Sequence, residues 1–156
     1  MVEADPRFQE AIRLFNAQEW YAAHDVLEEI WHETADPERR CLQGLLQVAV
    51  AQLHLQRDNQ RGATILFGEA LGRLQRPGTP DLGLDLLALC HCVHGRLVQL
   101  QQDGDPESCT VPVLNPSPRS PGSVPPFLVS TRGQHRDAST PISSAGASTP
   151  AGHSGC

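Results

Sequence analysis

The amino-acid sequence predicts an all-α protein: a compact antiparallel bundle of about five helices over residues 1–102, followed by a disordered tail over 103–156. Three observations carry this. Apolar residues recur at helical spacing through the first hundred positions. Short Asp-Pro, Asp-Asn and Pro-Gly breaks separate those runs, and connections so short favour antiparallel neighbours. Composition then changes near Gln102: nine of the thirteen prolines lie in 103–156, with much Ser, Thr and Gly and a single aromatic, Phe127. Such a segment buries too little apolar surface to offset its ordering entropy.

The first helix opens at Asp5-Pro6, a cap followed by proline at the first helical position, and Phe8, Ala11, Ile12 and Phe15 carry it to about Asn16. The second spans about Glu19 to Thr34. Asp36-Pro37 repeats the cap-then-proline signal and starts the third, which continues to about Arg57. Its apolar residues (Leu42, Leu45, Leu46, Val48, Val50, Leu53, Leu55) cover most of the circumference, which marks it as the central helix. After an Asp58-Asn59 turn the fourth covers Gln60 to Leu74. Arg76-Pro77-Gly78-Thr79-Pro80 breaks the chain, and a fifth helix spans Asp81 to about Gln102. In the tail, Val111-Pro112-Val113-Leu114 could dock back on the bundle, and Pro121 to Pro126 suits a polyproline-II-binding partner.

Charge and composition exclude several classes. The net charge is −6 and all twelve basic residues are arginine, so no extended phosphate-binding surface and no nucleic-acid partner is expected. No apolar run approaches the roughly 20 residues that span a bilayer, and the acidic start Met1-Val2-Glu3-Ala4-Asp5-Pro6 does not read as a signal peptide. The cytoplasm is the expected compartment, with no membrane partner; a homo-oligomer is compatible with the sequence. Five irregularly spaced cysteines do not read as a disulfide framework. Cys90-His91-Cys92-Val93-His94 resembles a metal motif, yet Leu86, Cys90, Val93, Leu97 and Leu100 form one apolar stripe and assign Cys90 to a core.

The polar residues that stand out are on helices two and three. At about 100° per residue, His24, Glu28 and Trp31 fall within about 60° of one another. His and Glu four apart can hydrogen-bond or share a metal ion. Asp25, Glu29 and Glu33 belong to the solvated face. On helix three Arg40, Gln43, Gln47 and His54 share one sector of an otherwise apolar helix, so they need partners, and helix two is the natural source. The expected pocket therefore has His24, Glu28 and His54 as metal or ligand contacts. Trp31, Arg40, Gln43 and Gln47 would line it. Two imidazoles and a carboxylate suit a divalent Zn, Fe, Ni or Mn ion with a position left for water. The same groups suit metal-free acid–base work, with Glu28 orienting His24. A solvated i,i+4 pair is the plainer reading, but two tryptophans and an apolar partner helix rarely flank one.

The string Phe15-Asn16, Tyr21, Ala23-His24, Leu27-Glu28 and Trp31, continuing through Arg40-Cys41-Leu42-Gln43-Gly44-Leu45-Leu46-Gln47-Val48-Ala49-Val50-Ala51 to His54, Asn59, Gly62 and Ala63, resembles the bacterial and archaeal family called domain of unknown function 309. That family is marked by a His-x-x-x-Glu-x-x-Trp/Tyr helix, and the likeness covers roughly residues 8–75. It implies a small all-helical fold and a metal-binding or otherwise functional role for His24, Glu28 and Trp31. Gln18 and Asp58 depart from it, standing where members often have glycine in the turns.

Three functions follow as expectations. The first is a metal- or ligand-binding helical protein, with hydrolysis among the reactions its pocket could run. The second is a tetratricopeptide-like helical-hairpin module for a protein partner, although a second copy at about 34 residues is missing. The third is a His/Glu hydrogen-bond network that only fixes helix packing.

Overall fold

The structure, a computed structural model, describes residues 1–118. Its element order is a 3-10 turn at Val2–Ala4, α1 at Pro6–Asn16, α2 at Trp20–His32, α3 at Glu38–Gln56, α4 at Gln60–Leu74, α5 at Leu86–Gln101 and a 3-10 turn at Pro106–Ser108. The fold is a compact five-helix assembly, as the periodicity predicts. Consecutive helices pack on one another, and α3 lies between α2 and α4.

Each start and stop has a local cause. Asp5 accepts the Arg7 amide at 2.9 Å and caps α1, with Pro6 already at a helical φ. Asn59 caps α4 through the Gly62 amide at 2.9 Å. The α1–α2 and α3–α4 turns pass through Gln18 at φ 63° and Asp58 at φ 61°. Both residues that depart from the family's glycines thus take the left-handed conformation that glycine adopts freely, which costs an L-residue about 1 kcal/mol or more.

Two expected starts differ. Asp36 does not cap α3; the helix begins at Glu38 after a cis Asp36–Pro37 bond, with no side-chain cap. The fifth helix begins at Leu86 and not at Asp81, because Asp85 accepts the Ala88 amide at 3.0 Å and supplies the cap. The preceding turn uses positive φ at Leu82 and Gly83 and buries Leu82 and Leu84. Those two leucines mimic the apolar register of the helix that follows.

Phe8, Phe15, Trp20, Leu27, Leu42, Leu45, Val48 and Phe67 are almost completely buried and form the centre of the core. Phe15 meets Trp20 edge-on at 4.9 Å between ring centroids and joins α1 to α2. Gly44 lets α3 approach α4: a Cβ there would stand 2.6 Å from Leu74 Cδ2 and Cγ. Cys90 is a core residue, as the stripe implies, and burial pushes its thiol up to about 11. Burial likewise pushes Cys41 up to about 12.

The packed chain does not stop at residue 102. Pro106, Cys109, Pro112 and Leu114 are buried, so the Val111–Leu114 patch does dock on the helices. Among the described residues, contacts from α1, α5 and the turn before α5 hold this strap. Arg96, 0% exposed, donates from Nε to the Thr110 carbonyl at 3.0 Å and from Nη2 to the Cys109 carbonyl at 3.2 Å. The Asn16 side chain donates to the Leu114 carbonyl at 2.9 Å and accepts its amide at 2.7 Å. An isolated antiparallel bridge pairs Leu84 with Pro116. Fixed side-chain partners on α1 and α5 order a segment whose own composition could not. Residues 119–156, including Pro121–Pro126, lie outside the described residues.

Candidate functional site

The residues expected to form one pocket are divided between two places. On α2, ligand-type atoms of His24, Asp25 and Glu28 all lie within 4.8 Å of one another. His24 Nε2 is 3.9 Å from Glu28 Oε1, the i,i+4 relation expected, and its Nδ1 is 3.4 Å from Asp25 Oδ1. The carboxylates therefore flank opposite nitrogens of one ring. The His24 side chain is only 21% exposed, while Asp25 and Glu28 are 52% and 46% exposed. Nδ1 is buried without a hydrogen bond. Tyr21, one turn earlier, stands exposed with its ring 6.2 Å from the imidazole. Asp25 was not expected here, because its helical angle assigns it to solvent; a flexible carboxylate next in sequence still reaches the ring.

His54 is not brought to this group. Asn59 Nδ2 donates to His54 Nδ1 at 3.0 Å, and the Asn59 amide donates to the His54 carbonyl at 2.7 Å. A Cβ on Gly62 would stand 3.1 Å from the same ring. His54, Asn59 and Gly62 thus meet at the α3–α4 turn.

The rest of the helix-three stripe faces α4 and not the His24 edge of α2. Gln47 donates from Nε2 to Glu69 Oε1 at 2.8 Å. Arg40 donates from Nε to Thr79 Oγ1 at 2.7 Å. Arg40 and Gln43 line a cleft of about 660 Å³ bounded by α3, α4 and the α2–α3 turn, with Trp31 on one wall. The cause is the close α3–α4 approach at Gly44, which makes α4 the nearer partner. Trp31 carries the Arg39 guanidinium over its ring, with Cζ 3.9 Å from the centroid. Glu28 and Trp31 are one turn apart on α2, so the His24 group and the cleft wall share a helix. Sequence reading missed Arg39, Arg73 and Arg76, which complete the cleft. They come from separate segments, and the clue available was only that every basic residue is arginine.

The family model described as a domain of unknown function (DUF309) matches residues 8–66, which includes the whole His24–Trp31 segment and the His54–Gly62 turn. Over these residues the chain is similar to that family. It is also 36% identical over 88 residues to the uncharacterized protein YpuF of Bacillus subtilis (strain 168), covering 54% of this chain and 46% of that relative. The chain therefore matches less than half the relative's length. Among the described residues, no helix is long and apolar enough to cross a membrane.

Proposed function

We propose that this protein is a small binding domain whose α2 face takes up a divalent cation, with His24 as leading ligand and Glu28 beside it. The observation that carries this reading is the His24 ring itself. It is mostly buried, bracketed by carboxylates on both nitrogens, and its buried Nδ1 lacks a hydrogen bond. A histidine placed only to fix helix packing would have both nitrogens satisfied or in water. Imidazole and carboxylate donors suit Zn, Mn, Fe or Ni, and the absence of a thiolate beside them argues for no softer ion. Glu28 lies on the Nε2 side and would share the ion. Asp25 on the Nδ1 side would orient the ring, as carboxylates behind ligating histidines do. A bound divalent ion supplies Lewis acidity and an activated water, the chemistry of hydrolysis.

With two protein ligands and half-exposed carboxylates, affinity should be modest. Calorimetric titration of Zn and Mn into wild type, His24→Ala and His54→Ala tests the proposal. Wild type should bind one ion. His24→Ala should weaken binding at least tenfold with little change in melting temperature. His54→Ala should keep the ion and lose stability. No uptake by wild type, or equal uptake by His24→Ala, would overturn it.

A further inference from the structure

The cleft between α3 and α4 presents a second, separate chemistry. Arg39, Arg40, Arg73 and Arg76 all line it, against the two carboxylates of Asp36 and Glu69. Among the described residues none of these four arginines lies within 4.0 Å of a carboxylate oxygen, and neither do Arg57 and Arg61, whereas Arg7, Arg13 and Arg96 each do. Here the two nearest do not pair with them, and Glu69 is engaged by Gln47 instead.

Two cleft-lining residues also carry a buried polar atom without a partner. Four buried side-chain nitrogens or oxygens among the described residues have no hydrogen bond: His24 Nδ1, Trp31 Nε1, Arg39 Nε and Gln47 Oε1. Trp31 and Arg39 line the cleft, and Gln47 is bonded to Glu69 of its wall. An unsatisfied buried polar group costs about 1–3 kcal/mol, so natural folds rarely retain several together without a use.

Two of the four guanidinium groups are also held in place before any ligand arrives. Arg40 is anchored through Nε on Thr79, whose hydroxyl donates to the Arg73 carbonyl at 3.0 Å. The terminal nitrogens of Arg40 make no hydrogen bond among the described residues. Arg39 is fixed by its stack on Trp31. Gly72 also lines the opening, and a Cβ built there meets nothing within 4 Å.

We propose that this cleft binds the phosphate group of a small molecule. Guanidinium forks match oxyanions, and several arginines around one cavity exceed what the two oxygens of a carboxylate can accept. A phosphate monoester offers three acceptor oxygens and a charge near −2, which suits four arginines opposed by two carboxylates. The cavity is concave and local and the chain carries −6 overall, which favours a compact anion over a nucleic-acid backbone.

The test is titration of inorganic phosphate into the full-length protein at low ionic strength with EDTA present, followed by calorimetry and tryptophan fluorescence. Excluding metal keeps the result independent of the His24 proposal. Saturable binding at one site is expected, weakened at least tenfold by Arg73→Ala and by Arg76→Ala, abolished by Gly72→Phe and unchanged by His24→Ala. Arg73→Gln, at a partly exposed position, serves as the check should Gly72→Phe fail to fold. Absence of saturable binding, or binding indifferent to both Arg73 substitutions, overturns the site. Tighter binding of citrate than of phosphate overturns the ligand class.

Discussion

Arg96 is fully buried and each of its guanidinium nitrogens reaches an acceptor, whereas the arginines of the α3–α4 cleft lie at the surface without a carboxylate partner among the described residues. Both regions place arginine next to helix ends and loops. In the first, the acceptors are two strap carbonyls, the Gln52 side chain at 3.2 Å and Glu107 at 3.4 Å. In the second, Glu69 is engaged by Gln47, and Arg40 donates to the Thr79 hydroxyl and not to a carboxylate. A guanidinium whose donors are satisfied internally holds the fold together. One whose donors are not is available to something that arrives from solution.

That contrast can be broken experimentally. The largest effect should come from Arg96→Met. It leaves the Thr110 and Cys109 carbonyls and the Gln52 amide without their donor, and it should destabilise by about 3 kcal/mol or more. Arg73→Ala should change stability by no more than about 0.5 kcal/mol. Urea unfolding measures both, and equal losses would erase the distinction between the regions. Asn16→Ala, which removes both bonds to the Leu114 backbone, should cost about 2 kcal/mol and raise amide exchange in residues 110–116. Exchange confined to α1 instead would mean that the strap is held elsewhere.

Smaller effects sharpen the picture of the turns. Gln18→Gly and Asp58→Gly should each stabilise by about 1 kcal/mol, because glycine takes the φ of 63° and 61° without strain. Both positions are exposed, so no packing is lost. The smallest effect concerns acid. Arg7 donates to Asp5 and Glu33 at 2.8 Å each and holds both carboxyls below their ordinary range. Their contribution is present above the unfolded carboxyl values near about 4 and is lost as pH falls through the depressed folded ones. Arg7→Ala should therefore flatten the acid limb of the stability curve, modestly, since all three groups are solvated.

The parts of this fold that are readable from sequence are those set by neighbours in the chain. α1 and α4 start and end where their caps and periodicity predict, because Asp5, Asn59 and the Arg76–Pro80 break act within a few residues. The start of α5 is misread because Leu82 and Leu84 continue an apolar pattern while the backbone turns. The strap is hidden for a different reason. Its ordering comes from Asn16, 98 residues away from Leu114, and from Arg96, so local composition is a poor guide.

The same division runs through the candidate sites. His24 and Glu28 are legible together because i,i+4 spacing on one helix fixes their neighbourhood. His54 is engaged by Asn59 at the α3–α4 turn, and an angular sector on α3 does not say which neighbour it meets. The arginine cleft is illegible for the same reason, being assembled from α3, α4 and the turn beyond α4.

The claim that the α2 face binds a cation turns on one ring. Long-range proton–nitrogen NMR of the histidine imidazoles, recorded while Zn is added to the full-length protein, reads each ring nitrogen directly. The account predicts that His24 Nε2 takes on the shift of a metal-bound nitrogen while the His54 resonances stay in place, held by Asn59. A shift at His54, or no shift at His24 at saturating Zn, would contradict it.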